Sequence, residues 1–229
     1  MMISLTNEDT DYFKKNLPFW EPLNSLEKEL VLQNLSHSSI SKGTQLVRNS
    51  SECNGLILLQ EGQIRAFITS EDGREITLYR LFPKDICIMS ASCILKNIRF
   101  TIYLEVEKDG KMFVIPTRIY KKINSENIAV KEYSMNLMSD RFSEVMWIID
   151  QMIFSSIPNR LSKFLLEQSD ILDSSHIEIT HDAISKNIGT AREVVSRMLK
   201  YFEKESLVSL SRGSIKIIDK KGLQKQAQR

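Results

Sequence analysis

Six consecutive residues, Arg192-Glu193-Val194-Val195-Ser196-Arg197, carry the most specific chemistry in this 229-residue chain. An arginine fork can donate to guanine O6 and N7, a glutamate can accept from cytosine N4, and a serine hydroxyl can meet a base edge. Lys200 follows at a distance better suited to a phosphate. Read as a helix, Glu193, Ser196, Arg197 and Lys200 recur at steps of three and four and so share a face. Val194, Val195, Met198, Leu199 and Phe202 form the apolar stripe. A helix with that division can pack on one side and read nucleic acid on the other. The plainer alternative is that Glu193 only caps its own helix and the arginines are solvated charges.

The flanking sequence supplies the elements that such a helix needs. Thr180 is a candidate N-cap for a helix over His181 to Ile188, with Asp182 in its first turn. Gly189 stands where a left-handed C-terminal residue is wanted. Thr190 then opens the second helix, and Glu193 three residues on completes a capping box. The connection is too short for antiparallel packing, which predicts a helix-turn-helix. Leu207 to Leu210, the Arg212-Gly213 turn and Ile215 to Ile218 predict a two-stranded wing. The candidate DNA-contacting residues are Thr180, His181, Thr190, Ala191, Arg192, Glu193, Ser196, Arg197, Lys200 and Arg212. The charge distribution agrees. Residues 186 to 229 hold eleven Lys or Arg against four Asp or Glu, while residues 1 to 157 hold eighteen against twenty. Positive charge is concentrated where a phosphate backbone would need it.

The Arg192-Glu193-x-x-Ser196-Arg197 core and its setting resemble the winged helix-turn-helix of the CRP/FNR superfamily of bacterial transcription regulators. The resemblance extends over essentially the whole chain and is most specific in the last third. Residues 38 to 115 hold short β-rich runs separated by turn signals such as Glu61-Gly62, Glu71-Asp72-Gly73 and Asp109-Gly110, which predicts an antiparallel sandwich or barrel. The stretch from Gly55 to Ile86 is similar to the family's β-roll sensor domain. The expected fold class is therefore α+β: an N-terminal antiparallel, cupin-like β-roll (1–124), a long dimerisation helix (125–155) and a C-terminal winged helix-turn-helix (156–229).

The first 36 residues are expected to be helical, and Pro116 to open a short helix before the long one. Ser125 to about Phe154 lacks Gly and Pro, and Met138, Phe142, Val145, Ile149 and Met152 recur in it at alternating fours and threes. That is a heptad seam. It fits either a helix buried on its own domain or the family's parallel dimerisation coiled coil, and the resemblance implies the homodimer. Ser155-Ser156-Ile157-Pro158 is the expected hinge. Pro158 begins the first helix of the last domain, with Leu161, Phe164, Leu165 and Leu166 inward.

The resemblance also frames the sensor. Cyclic-nucleotide members pair a Gly-Glu with a later Arg. Here the equivalent stretch is Met89-Ser90-Ala91-Ser92-Cys93-Ile94-Leu95, without Gly-Glu, and Arg99 is followed by Phe100 and Thr101. A cyclic nucleotide is not expected. Cys53, Cys87 and Cys93 are too few for an intrachain four-thiolate cluster. Cys87 and Cys93 remain candidates for a redox pair or for help in holding a haem, beside the plainer reading of buried, inert thiols, and Arg99 is a candidate effector residue beside the plainer reading of a surface or salt-bridging one. The cofactor stays unknown. None of the three histidines lies within residues 38 to 175, so the ligand cluster of a cupin enzyme is missing, and no enzyme is expected. No apolar run is long enough for a membrane span and no signal-peptide core stands at the N-terminus. The expectation is a cytoplasmic regulator that binds double-stranded DNA at an inverted repeat and contacts RNA polymerase.

Overall fold

A computed structural model describes residues 2–3, 5–47, 55–71, 73–88 and 101–228. Cys53, Cys93 and Arg99 lie outside the described residues. The chain divides into two compact units, Met1–Ile68 with Leu78–Val145, and Thr69–Thr77 with Met146–Arg229.

The first unit begins with β1 (Met2–Ile3), α1 (Asn7–Asn16) and α2 (Ser25–Asn34). Both helices start on reciprocal capping boxes, Thr6 with Asp9 and Asn24 with Glu27. Each satisfies two amide groups that a helix start leaves open. The strands are β2 (Ser36–Ile40), β3 (Gln45–Val47), β4 (Leu56–Thr69), β5 (Glu75–Leu81), β6 (Ile86–Cys87) and β7 (Tyr103–Ile115). They form one sheet in the order β1-β2-β7-β4-β5, with β3 beside β7 and β6 beside β4.

Two expected turns prove to be bulges inside long strands. Glu61-Gly62 and Asp109-Gly110 lie opposite one another in the antiparallel β4–β7 pair, whose register shifts repeatedly between Leu59 and Ile64. Gly62 has φ +95°, and an added Cβ would come within 2.7 Å of the Lys108 carbonyl oxygen. A Cβ on Gly110 would collide with the Glu61 carbonyl. The glycines thus allow two backbones to cross closely, and the strands bend without reversing.

Helix α3 (Thr117–Glu126) follows Pro116, and α4 runs from Ile128 to Phe154. The long helix therefore starts at Ile128 instead of Ser125. Asn127 separates the two helices, its Oδ1 accepting from the Ala129 and Val130 amides as a cap. Phe13, Phe19, Val31, Leu58, Ile64, Phe113 and Tyr120 centre the core of this unit. His37 is buried there, stacked on Phe113 with Nε2 2.7 Å from Gln60 Oε1. Cys87 is buried too, its sulfur 3.8 Å from the Tyr79 hydroxyl.

The second unit holds α5 (Ile157–Leu172), β8 (His176–Glu178), α6 (His181–Ile188), α7 (Arg192–Lys204), β9 (Val208–Ser211), β10 (Ser214–Ile217) and α8 (Lys220–Ala227). Its sheet runs β8-β10-β9, antiparallel throughout. Leu161, Leu165, Ile177, Ile184, Val195, Leu199, Phe202, Ile215 and Leu223 form one core. The basic tail is thus a packed helix. Asp219 caps it, Leu223 buries it, and Ala227 accepts from Asn159 Nδ2 at 2.7 Å.

Candidate nucleic-acid interface

Local signals set the geometry of the helix-turn-helix. Thr180 Oγ1 accepts from the Ala183 amide at 3.1 Å and so starts α6. Gly189, at φ +63°, ends it, and both Gly189 and Thr190 donate their amides to the Ser185 carbonyl. An added Cβ at this glycine would also press on the Met152 methyl, 2.6 Å away. The left-handed backbone is what favours glycine here, since the methionine methyl is the end of a flexible side chain.

The expected capping box at Thr190 does not form. Ala191 is the residue before α7, and it makes no side-chain cap. Thr190 is committed to closing α6, so α7 begins one residue later and Glu193 falls in its first turn, three residues from Thr190 but only two from Ala191. Its carboxylate is thereby left on the surface, near the helix N-terminus that favours negative charge.

Val195, Leu199 and Phe202 bury one side of α7. Arg192, Glu193, Arg197 and Lys200 are exposed. Among the described residues these cations form no ion pair within the chain, in contrast to Lys186, which meets Asp182 at 3.5 Å. Ser196 is half-buried, and its hydroxyl lies 2.8 Å from His181 Nδ1. Either atom donates according to the imidazole tautomer. Burial, and then the charge of Arg192, holds the His181 pKa below its ordinary value. The neutral imidazole is therefore favoured, and it anchors the Ser196 side chain from the neighbouring helix.

Between α6, the start of α7 and the wing lies a cleft of about 470 Å³. Thr180, His181, Arg192 and Arg212 line it together. Glu193, Ser196, Arg197 and Lys200 do not; they continue along α7 beyond the cleft. The wing adds Gly213, expected as its turn, and Ser211 and Ser214, which the sequence reading did not single out. The serines flanking Arg212-Gly213 were the available signal, because they pair directly across the two-residue turn. Together these groups present two arginines, several hydroxyls and the first turn of α7. That set suits phosphate contact at the edges and base contact along α7.

The five residues of the seam expected on α4 have different intrachain surroundings. Met138 and Val145 pack against the core of the first unit, and Met152 packs near Gly189. Phe142 and Ile149 are exposed, at 66% and 40%, and share that condition with Ile128, Met135, Met146 and Ile153. Of the sensor candidates, only Cys87 is described, and it sits inside the first core.

A Crp-like helix-turn-helix domain matches residues 159–226. A crystal structure of a transcriptional regulator of the CRP/FNR family from Eubacterium rectale is 43% identical, covers 94% of this chain and 100% of its own, and superposes with a TM-score of 0.89. The anaerobic regulatory protein of Bacillus subtilis is 23% identical over 227 residues, 96% of this chain and 90% of that protein. The cyclic AMP receptor protein of Thermus thermophilus is 24% identical over 203 residues, 89% and 93% of the two chains. No described helix is long and apolar enough to cross a membrane. With its helix-turn-helix, wing and β-roll in this arrangement, the chain belongs to the CRP/FNR superfamily and is a transcription regulator with a DNA-binding domain.

Proposed function

We propose that the protein binds an inverted-repeat operator as a homodimer and that its β-roll answers a small-molecule or redox signal. The observation that carries the DNA half is the exposed edge of α7, where Arg192, Glu193, Arg197 and Lys200 stand without intrachain ion pairs among the described residues. Glu193, Ser196 and Arg197 face the bases, and a TTGA-type half-site is the proposed target. Arg192 and Arg212 hold phosphates beside them. Two recognition helices set about one helical turn apart read the two half-sites.

The dimer half rests on α4. Met135, Phe142, Met146, Ile149 and Ile153 recur on it at sevens, fours and threes, all exposed. A second copy of the same helix buries such a stripe by knobs-into-holes packing. A dimer also supplies the site length that a single recognition helix lacks. Cyclic nucleotide is not part of the proposal, because Met89 to Leu95 lacks the Gly-Glu of the nucleotide cassette. Cys87 is the described thiol through which a redox signal would act, with Cys93 as its sequence neighbour. Regulation places the protein in the cytoplasm and brings it to RNA polymerase.

The test is selection of binding sites from random double-stranded DNA with purified protein, with and without reductant, at one stated salt concentration. A palindromic site with TTGA-like halves is the expected result. Enrichment of a single half-site would remove the dimer, and no enrichment under either condition would remove the operator reading. Phe142→Glu with Ile149→Glu should give monomers in sedimentation and lose the palindrome.

A further inference from the structure

Away from the DNA face, the second unit carries a half-open cavity of about 120 Å³. It lies among the last turns of α4, the first turns of α5 and the end of α6. Trp147, Met152 and Phe164 supply apolar wall, and Gln151, Arg160 and Lys163 supply polar groups. The volume is that of about four water molecules.

Arg160 is the feature that requires an explanation. Its Nε and Nη1 are withdrawn from solvent and have no hydrogen-bond partner among the described residues. Buried polar groups are almost always satisfied, and a buried charge left alone is costlier still. Lys163 does not share that condition, since its Nζ donates to Gln151 Oε1 at 2.8 Å. Glu167 also lines the cavity but is exposed and forms no ion pair with Arg160. Arg160 moreover stands in the first turn of α5, which Ser156 caps. A helix N-terminus favours negative charge, so a cation there is doubly unfavourable without an anion nearby. Burial pulls its guanidinium below the ordinary arginine range, as expected of a charge without a counterpart.

We propose that this cavity binds a short-chain organic carboxylate, its carboxylate held by Arg160 and its hydrocarbon part seated against Trp147 and Phe164. The carboxylate supplies the charge-assisted acceptors that Arg160 lacks. The predominantly apolar wall selects a ligand with a hydrocarbon body over a fully hydrated inorganic anion. The ligand would bridge α4, α5 and the end of α6, and would fix the junction at Ser155-Ser156 from which α5 departs.

The experiment is calorimetric titration of the full-length protein, free of DNA and in carboxylate-free buffer, with sodium butanoate, n-butanol and inorganic phosphate. Emission from Trp147 in a Trp20→Phe background reports the same event, as the chain has two tryptophans. Butanoate should bind saturably, with n-butanol and phosphate far weaker. Arg160→Met should weaken butanoate about tenfold or more, yet leave the ligand-free thermal midpoint unchanged or raised, since it removes two buried nitrogens that lack partners among the described residues. Arg160→Lys should retain part of the binding. No saturable butanoate signal would overturn the proposal. So would phosphate or n-butanol binding as well as butanoate. A ligand-free midpoint that drops in both Arg160 variants would make the residue purely structural and overturn it as well. None of these readouts involves an operator, so they stand or fall apart from the DNA assay.

Discussion

Arg65 is buried and Arg160 is half-buried, with two of its guanidinium nitrogens withdrawn from water, and the two units of the chain provide for them in opposite ways. In the first unit Arg65 meets Glu105 at 2.6 Å, with Glu107 3.9 Å away, and it stacks on Phe67. Arg80 nearby takes both oxygens of Glu107, at 2.8 and 3.1 Å. In the second unit Arg160 has two buried nitrogens without partners among the described residues, and Arg192, Arg197 and Arg212 stand exposed without carboxylates among them. The difference separates two uses of one side chain. Where strands supply complementary carboxylates, arginine helps to fix the fold. Where the chain supplies none, the charge is left available to a partner outside it, proposed above as a nucleic acid for the α7 face and a carboxylate for the cavity.

The contrast can be broken by removing one charge from each side. Arg65→Ala should give the largest loss, about 3 kcal/mol in denaturant unfolding of the β-roll, because it strands Glu105 beside a new void. Arg197→Ala should leave that unfolding curve within about 0.5 kcal/mol of wild type. In quantitative binding to operator variants, however, it should cost about 1–3 kcal/mol of discrimination at a single base pair. A stability loss at Arg197 comparable to that at Arg65 would remove the distinction.

Smaller effects sharpen it. Thr180→Ala removes the N-cap of α6 and should cost about 1 kcal/mol of stability in the second unit, read by thermal unfolding. His181 contributes a slope with pH. Its folded pKa lies below the ordinary imidazole value, so between the two values the unfolded chain binds more protons than the folded one. Stability therefore rises with pH through that window and falls as pH drops below about 6.5. His181→Asn keeps a polar atom near Ser196 and should flatten the difference, seen in unfolding curves measured from pH 5 to 8.

How far the sequence could be read depended on the distance over which each signal acts. Thr180, Gly189 and the stripe Val195, Leu199, Phe202 announce α6 and α7 within a few residues, and the structure has them where the spacing put them. The wing was equally legible, because Arg212-Gly213 sits between two β-rich runs. The capping box at Thr190 failed because two motifs compete for one residue, and closing α6 prevails. Glu61-Gly62 and Asp109-Gly110 looked like turns for a related reason. Glycine serves both chain reversal and close backbone crossing, and only pairing β4 with β7 distinguishes them.

By itself, then, the sequence determined the helix-turn-helix, the wing, the polarity of α7 and the β-rich character of the N-terminal half. These follow from caps, periods and turn chemistry that operate over one or two helical turns. The tertiary structure alone decided which row of α4 stays open, that His181 holds Ser196 fifteen residues away, that Arg65 finds Glu105 forty residues away, and that two buried nitrogens of Arg160 find no partner among the described residues. Each of those depends on which distant segments come within a hydrogen bond of one another, and a linear pattern carries no record of that distance.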